Sequence, residues 1–243
     1  MMMQPAEYSG YRRLAIMDKT KPGFETNAEL YSDYFAVVEE GKIYIPNKAL
    51  LKIPDNTDYK SFTINGPALV NKEDYGERLQ DSVRAYFFRH IPEELNKWFE
   101  RVQYLKWPSE SFRQFMRNNS FYLVPVGHKQ SNAREREFRV CCTFAERQLM
   151  FGLNITQIQF LIIMKMLTKT YVNQEHDRAI KSFFCMVALF YSIEKTHNED
   201  WEPANIIPCI VKCVQWLVDC LKLNSMPHYF MPSLNMLEGR FQP

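Results

Sequence analysis

Asp81 opens a segment that alternates in the manner of a buried β-strand. The segment LQDSVRAYFFRHIP covers residues 79–92, and Asp81, Val83, Ala85 and Phe87 occupy every second position. Because side chains alternate across a strand, these four are predicted to share one inward face. A carboxylate at the head of such a face is either a solvated strand end or a metal ligand. A metal site would require further acids beside it.

A second group of acids lies in the charged run RERE, where Glu135 and Glu137 form an acid-x-acid pair. Alternating charges outside a strand pattern usually face water, so we predict that both carboxylates are solvated. His128 begins the same polar loop, and we predict an exposed histidine with a structural role. The stretch Lys129–Arg136 carries three basic residues and offers a site for an anionic partner.

The six cysteines fit a reducing compartment, so we expect a cytoplasmic or nuclear protein. Three of them recur on one face of a predicted helix: Cys209, Cys213 and Cys220. We interpret these three as small core residues. A metal site would need histidine close by, and His228 is the nearest candidate. The adjacent Cys141 and Cys142 point to opposite faces of a predicted strand, which suits neither a disulfide nor chelation.

The composition excludes several classes of function. The 46% hydrophobic and 24% charged residues are ordinary for a folded domain. There are 8 glycines and no GxGxxG or GxxxxGKS/T pattern, so no glycine-rich phosphate loop is indicated. A net charge of +2 does not indicate a nucleic-acid partner. No secretory signal is visible, and the apolar run Phe160–Met164, which ends at Lys165, falls far short of the roughly 20 residues of a membrane span. We therefore expect no membrane.

Two regimes of composition follow one another, which predicts an α+β fold. Residues 1–90 carry β-branched and aromatic residues between turn formers, with a hairpin at Glu39–Lys42. Residues 92–119 are predicted to be helical, with Ser109 as a helix N-cap. FYLVPV and FRVCCTF follow as predicted strands. Later helices are predicted at about 156–172, 178–194 and 207–222, with Thr156 and Gln159 at capping-box spacing.

Several phrases in fixed order carry a family resemblance. They are GPAL (66–69), DSVRA (81–85), WPS (107–109), FYLVPVGHK (121–129), FRVCCTFAER (138–147) and PHYFMPSLNML (227–237). Together they resemble the Mab-twenty-one (male-abnormal twenty-one) family, the relatives of cyclic GMP–AMP synthase. The family's usual phrase at 138–146 is Trp-Arg-(Leu/Ile)-Ser-Phe-Ser-x-x-Glu. This chain keeps Arg139 and Glu146 but departs at Phe138, Cys141 and Thr143.

The resemblance implies a nucleotidyltransferase fold with a nucleotide between two lobes. We expect a partial, mixed-sheet lobe at 1–142 and a helical, HhH/H2TH-like lobe at 143–243. In active members three carboxylates hold two Mg²⁺ ions, which clamp the attacking and leaving oxygens of phosphoryl transfer from ATP or GTP. Asp81 matches the third carboxylate.

The other two carboxylates should lie upstream of the strand GYRRLAI, after a Gly-Ser turn. Glu7 is the one acid in that stretch, and the Gly-Ser turn is missing. We expect that the chain starts after the family's catalytic strand and lacks the helix that backs the sheet. A lone Asp81 cannot organise two Mg²⁺ ions, so we predict no catalysis by the chain as given. It is either a degenerate member or an incomplete gene model.

Four residues match the family's nucleotide-binding positions. Arg139 would reach a phosphate or base, or else is a solvated strand-edge arginine. Lys165 interrupts FLIIMKML and must either snorkel to water or meet an anion. Ser182 and Phe183 match a Ser-Tyr pair whose ring stacks on a base, although a phenylalanine in an apolar helix is usually core. The family's zinc insertion is replaced by FGLNITQIQF, so neither zinc nor DNA sensing through it is expected.

Three functions stay open at this point. The first is a family pseudoenzyme that binds a nucleotide or a protein partner between the lobes. The second is a fragment of an active cyclic-dinucleotide synthase, an innate immune sensor. The third is a plain protein-interaction module. A sheet that lacks a strand exposes an open edge, so we also predict oligomerisation or poor solubility.

Overall fold

The computed structural model describes residues 2–16, 37–39, 42–51, 62–71, 80–119, 121–173, 180–197 and 200–239. The chain forms two compact units, and each is assembled from two separate stretches of sequence. The first unit comprises Met1–Ile91 and Ser120–Cys142, and the second comprises Pro92–Asn119 and Thr143–Pro243. The predicted α+β class is confirmed: the first unit holds the strands and the second holds the α-helices. The predicted boundary at residue 143 is where the chain re-enters the second unit.

Two antiparallel sheets make up the described part of the first unit. Seven strands form the larger sheet: β1 (Met2–Pro5), β2 (Tyr11–Ile16), β3 (Val37–Glu39), β4 (Lys42–Tyr44), β8 (Tyr86–Phe88), β9 (Phe121–Val124) and β10 (Glu137–Cys141). Three form the smaller sheet: β5 (Phe62–Asn65), β6 (Ala68–Asn71) and β7 (Gln80–Val83). The resemblance implied a mixed sheet, whereas all described pairings are antiparallel.

Two of the hairpins are closed by short turns. Glu39 pairs with Lys42, as the hairpin prediction required, and turn residues 40 and 41 lie outside the described residues. Asn65 pairs with Ala68 across a two-residue turn in which Gly66 has a φ of 59°. A positive φ strains residues that carry a Cβ, so glycine suits this turn.

The predicted strand 81–88 is wrong as a single element. The chain leaves the smaller sheet after β7 and joins the larger one as β8, with Arg84 and Ala85 between them. Val83 is 48% exposed and Phe87 56% exposed, so neither lies on a buried face. Alternating side chains show only that the backbone is extended. The two-residue period is unchanged where the chain leaves one sheet and joins another, so the sequence did not reveal the break.

The second unit is a set of six described helices. They are α1 (Asn96–Val102), α2 (Glu110–Asn118), α3 (Thr143–Phe151), α4 (Ile155–Leu167), α5 (Ser182–Lys195) and α6 (Ile206–Lys222). A π-helical turn, Thr168–Val172, prolongs α4. The three predicted apolar helices are confirmed with shifted ends, and residues 174–179 lie outside the described part. The predicted Thr156–Gln159 capping box is wrong, because the cap is formed by Asn154 and Gln157.

An aromatic core joins these helices to the C-terminal segment. Trp98 of α1 packs against Tyr229 and Phe230, with ring centroids 6.3 and 5.2 Å apart. Phe190 of α5 lies 5.1 Å from Tyr229. The C-terminal segment therefore packs over the helices of the second unit.

The cysteines of α6 are core residues, as predicted. Cys209, Cys213 and Cys220 are buried free thiols, and burial raises the pKa of Cys213 to about 12. Pro203–Lys222 is long and apolar enough to cross a membrane by length and composition, and 28% of its most apolar window is buried. In this fold α6 packs against α4 and α5.

Arg113 secures the start of α2. Ser109 caps this helix as predicted, accepting a hydrogen bond from the Phe112 N–H at 3.2 Å. The buried Arg113 guanidinium donates to the carbonyl oxygens of Leu105 at 2.9 Å and Pro108 at 2.6 Å. One side chain therefore serves acceptors in the turn that connects α1 to α2.

Replacing Arg113 tests this role. Arg113→Met should lower the free energy of unfolding by about 3 kcal/mol, because buried carbonyls lose a charged donor. Arg117→Met on the same helix is the matched control. Arg117 is exposed and stacks on Phe99 at 4.4 Å, so its loss should cost under about 1 kcal/mol. Urea unfolding midpoints compare the two variants, and equal midpoints would contradict the assignment.

Candidate functional site

The structure places the backbone of Asp81 in β7, opposite Val70 of β6. The Asp81 side chain lies outside the described part of the chain. Its assignment as an inherited metal position therefore stays a prediction.

Glu137 is buried, which corrects the prediction that both acids of its pair are solvated. Glu137 is 0% exposed, and its carboxylate accepts hydrogen bonds from the His128 N–H at 2.9 Å and the Ser131 hydroxyl at 2.6 Å. Glu135 is exposed, as predicted, in the short turn Arg134–Arg136. The difference arises because β10 begins at Glu137 and turns this side chain under the preceding loop.

The same loop buries His128, which was predicted to be exposed. The imidazole stacks on Tyr8 with ring centroids 3.7 Å apart, and Tyr11 meets it edge-on at 5.3 Å. Gly127 permits the fold of this loop, because a Cβ there would clash with the carbonyl oxygen of Arg134. The charged run in the sequence did not predict that His128 is buried, because this burial depends on Tyr8, which lies more than a hundred positions away.

Asn47 holds the C-terminal end of the loop between β9 and β10 through two hydrogen bonds. Its amide nitrogen donates to the carbonyl oxygens of Arg134 at 2.8 Å and Glu137 at 3.1 Å. Lys129 and Arg134 remain exposed, so the loop presents cations on a backbone that is held at both ends.

Arg139 lies on β10 between the buried Phe138 and Val140. Its backbone pairs with Val124 on one side and Tyr11 on the other, so it sits in a central strand of the larger sheet. The residue is exposed. The geometry corrects the alternative of a strand-edge arginine and leaves its guanidinium accessible to an anion.

Lys165, Ser182 and Phe183 all belong to the second unit, whereas Arg139 belongs to the first. Lys165 is exposed on α4, next to the fully buried Met164. Ser182 is exposed at the first position of α5, and Phe183 follows it, half-buried. The structure packs α4 against α5, so a cation, a hydroxyl and an aromatic ring occur on two neighbouring helices.

A buried histidine–glutamate pair supports Phe183, and the sequence did not predict it. His228 Nε2 lies 3.5 Å from Glu146 Oε1, and both side chains are about nine-tenths buried. His228 Nδ1 accepts hydrogen bonds from the N–H groups of Phe230 at 3.2 Å and Met231 at 3.3 Å. Because Nδ1 accepts, the proton of a neutral ring is on Nε2 and faces the carboxylate.

The ring of Phe183 lies 5.9 Å from that of His228. The pair therefore connects α3, the head of α5 and the C-terminal segment. His228 was considered as a metal ligand with the cysteines of α6, but among the described residues no three His, Cys, Asp or Glu side chains are grouped to hold a metal. Glu146, which this chain retains from the family's usual phrase, was the one sequence feature that could have indicated the His228–Glu146 pair.

Comparisons with known proteins agree on one family. A family model described as the Mab-21 protein HhH/H2TH-like domain matches residues 156–242. The chain is 25% identical over 146 residues to the cyclic GMP-AMP synthase of Mus musculus, covering 54% of this chain and 29% of that protein. It is 23% identical over 149 residues to that of Sus scrofa, covering 54% and 30%. The match thus spans less than a third of the length of these curated relatives.

The burial of Glu137 is testable against its exposed neighbour. Glu137→Gln should lower the free energy of unfolding by about 2 kcal/mol. The substitution replaces one carboxylate oxygen with an amide NH2 group, which cannot accept a hydrogen bond from one of the two donors. Glu135→Gln should change it by less than about 0.5 kcal/mol. The measurement is urea unfolding with and without Mg²⁺. A Mg²⁺-dependent stabilisation that Glu137→Gln abolishes would show instead that Glu137 is a metal ligand.

Proposed function

Because the chain is a member of the Mab-21 and cyclic GMP–AMP synthase-like family, we propose that residues 1–243 bind a nucleotide without catalysing nucleotidyl transfer. The absence of catalysis is inferred from the burial and hydrogen bonding of Glu137. Two-metal phosphoryl transfer needs several free carboxylates around Asp81. Glu137 is closed off from solvent and each of its oxygens accepts from a protein donor, so we do not expect the acid-x-acid pair in this loop to supply them.

The nucleotide-binding half rests on the second unit. Lys165 is an exposed ammonium that can meet a phosphate, and Ser182 offers a hydroxyl at the head of a 14-residue helix. Phe183 presents a half-buried ring held against His228, which pre-orders a surface on which a base can stack. Arg139 adds an accessible guanidinium on the first unit, suited to bidentate phosphate contacts.

The expected ligands are ATP or GTP with Mg²⁺, and zinc is not expected. Mg²⁺ accompanies ATP or GTP and neutralises phosphate charge when bound, and Asp81 is the residue that would contact it. The family's zinc site has no counterpart in residues 151–160, which contain neither His nor Cys. We expect a cytoplasmic or nuclear protein, with neither nucleic acid nor a membrane as its partner.

One observation favours a second candidate function. The match covers 29% and 30% of the two synthases, which leaves room for catalytic elements in a longer protein that contains this chain. In that case the chain would be part of a cyclic-dinucleotide synthase with a role in innate immunity.

Nucleotide binding is expected to depend on Lys165 and on the ring at position 183. In calorimetry with ATP and GTP, Lys165→Ala should weaken binding about tenfold, whereas Lys195→Ala, an exposed lysine of α5, should not. Phe183→Ala should weaken it about tenfold, and Phe183→Tyr should retain it because the stacking ring remains. Equal binding by Lys165→Ala and Lys195→Ala would contradict this site.

The absence of catalysis is tested by product formation. The chain is incubated with ATP and GTP in the presence of Mg²⁺ or Mn²⁺, and linear and cyclic dinucleotides are separated by chromatography. We expect no more product than from Asp81→Ala. Product that this variant loses would overturn the proposal, and the second candidate would then be tested with the longer gene product.

A further inference from the structure

Helix α4 exposes a row of large apolar side chains on the surface of the second unit. They are Ile155, Ile158, Ile162 and Met166, which are 67%, 37%, 52% and 62% exposed. We call this set the α4 stripe. The spacings of three, four and four residues keep the stripe on one helical face. The opposite face of α4 is also apolar and forms core through Phe160, Leu161 and Met164.

The α4 stripe is not accounted for by the folding of the second unit. A helix that is apolar on all sides is normally buried, because exposed apolar area costs about 25 cal/mol per Å². Core packing already uses one face of α4 completely. Contiguous exposed apolar rows on folded proteins mark interaction sites.

The described stretch of chain that carries the stripe, residues 147–173, is cationic. Residues 147–173 contain Arg147, Lys165 and Lys169 and neither Asp nor Glu. All three cations are exposed, while the preceding acid, Glu146, is buried against His228. By α-helical geometry Lys165 lies about 20° beyond one edge of the stripe, and Lys169 follows it in the π-helical turn. The surface is therefore apolar in its centre and positive at its border.

This charge pattern argues against a second copy as the occupant. In a symmetric pair of α4 helices, the lysines of one copy would face a stretch of the other that offers no acid. Like charges without partners disfavour such contacts. An acidic occupant is the complement.

The width of the stripe favours a helix over a lipid surface. Since successive residues are rotated by about 100°, the four side chains cover an arc of about 80°. A narrow seam of this kind is typical of helix–helix packing, whereas an inserted membrane face is broader. The π-helical turn follows at the end of the stripe and carries Tyr171, which is 70% exposed. Such turns occur often at functional sites.

We propose that the α4 stripe docks an amphipathic helix of a partner protein, with apolar residues at i, i+3 or i+4, i+7 and i+11 and with Asp or Glu along the border. The apolar side chains fill the seam, and the acids pair with Lys165 and Lys169. The surface is defined by its isoleucines and shares Lys165 with the nucleotide-binding positions. Ile162 and Lys169 are not among those positions, so substitutions there let either proposal fail without the other.

The test uses a fluorescent helical peptide of about 18 residues, five turns long, with leucines at the stated spacing and glutamates at the flanks. A second peptide carries lysines in place of the glutamates. Fluorescence anisotropy measures binding of each to the full chain. We expect the acidic peptide to bind at least about tenfold more tightly than the basic one.

Two substitutions locate the binding. Ile162→Asp should weaken the acidic peptide about tenfold or more, whereas Val211→Asp should not. Val211 is the matched control, because it is 62% exposed on α6. Lys169→Glu should weaken the acidic peptide and strengthen the basic one. Ile162 and Lys169 are exposed, so unfolding midpoints are expected to stay unchanged, and ATP binding reports the nucleotide site separately.

Several results would overturn the proposal. Equal affinity for both peptides, no measurable binding, or binding that Ile162→Asp leaves intact would each do so. Sedimentation that shows self-association lost in Ile162→Asp would assign the stripe to a second copy. Binding to phosphatidylcholine–phosphatidylserine vesicles that Ile162→Asp abolishes, without peptide binding, would assign it to a membrane.

Discussion

The second unit depends on a half-buried cation, Arg101 of α1. Its guanidinium lies over the rings of Tyr191 at 4.8 Å and Tyr229 at 5.1 Å. It donates to the Glu194 carboxylate at 3.2 Å and to the Tyr229 carbonyl oxygen at 2.8 Å. Burial raises the pKa of Glu194 although Arg101 opposes that shift. Desolvation of such a pair consumes much of its attraction, so its main effect is to specify geometry.

This geometry explains why the second unit is discontinuous in sequence. Arg101 and Trp98 come from the stretch 92–119, and their partners come from α5 and the C-terminal segment. A sequence divided by composition alone places 92–119 beside the strands that surround it. The aromatic and ionic partners instead draw these helices to residues more than ninety positions later in the chain.

Features that depend on neighbours close in sequence were predicted, and features that depend on distant segments were not. The period of α6, the burial of its cysteines and the Ser109 cap depend on neighbours within a few residues, and all three were predicted. The sheet change after Val83 and the burial of Glu137 depend on strands and loops far away in sequence. For Arg139, Lys165, Ser182 and Phe183 the resemblance supplied candidates, and the structure supplied exposure and neighbours, including the His228–Glu146 pair behind Phe183.

The buried acids of the described residues share one property that bears on function. The carboxylates of Glu137, Glu146 and Glu194 each face a donor from the protein: a backbone N–H and a hydroxyl, an imidazole, and a guanidinium. Glu146 and Glu194 connect segments that are distant in sequence, and Glu137 closes the loop that precedes it. Because these carboxylates are shielded from solvent, a metal ion could reach them only if the segments that cover them moved. The exposed cations Arg139 and Lys165 lie on regular elements, which suits them to bind anions.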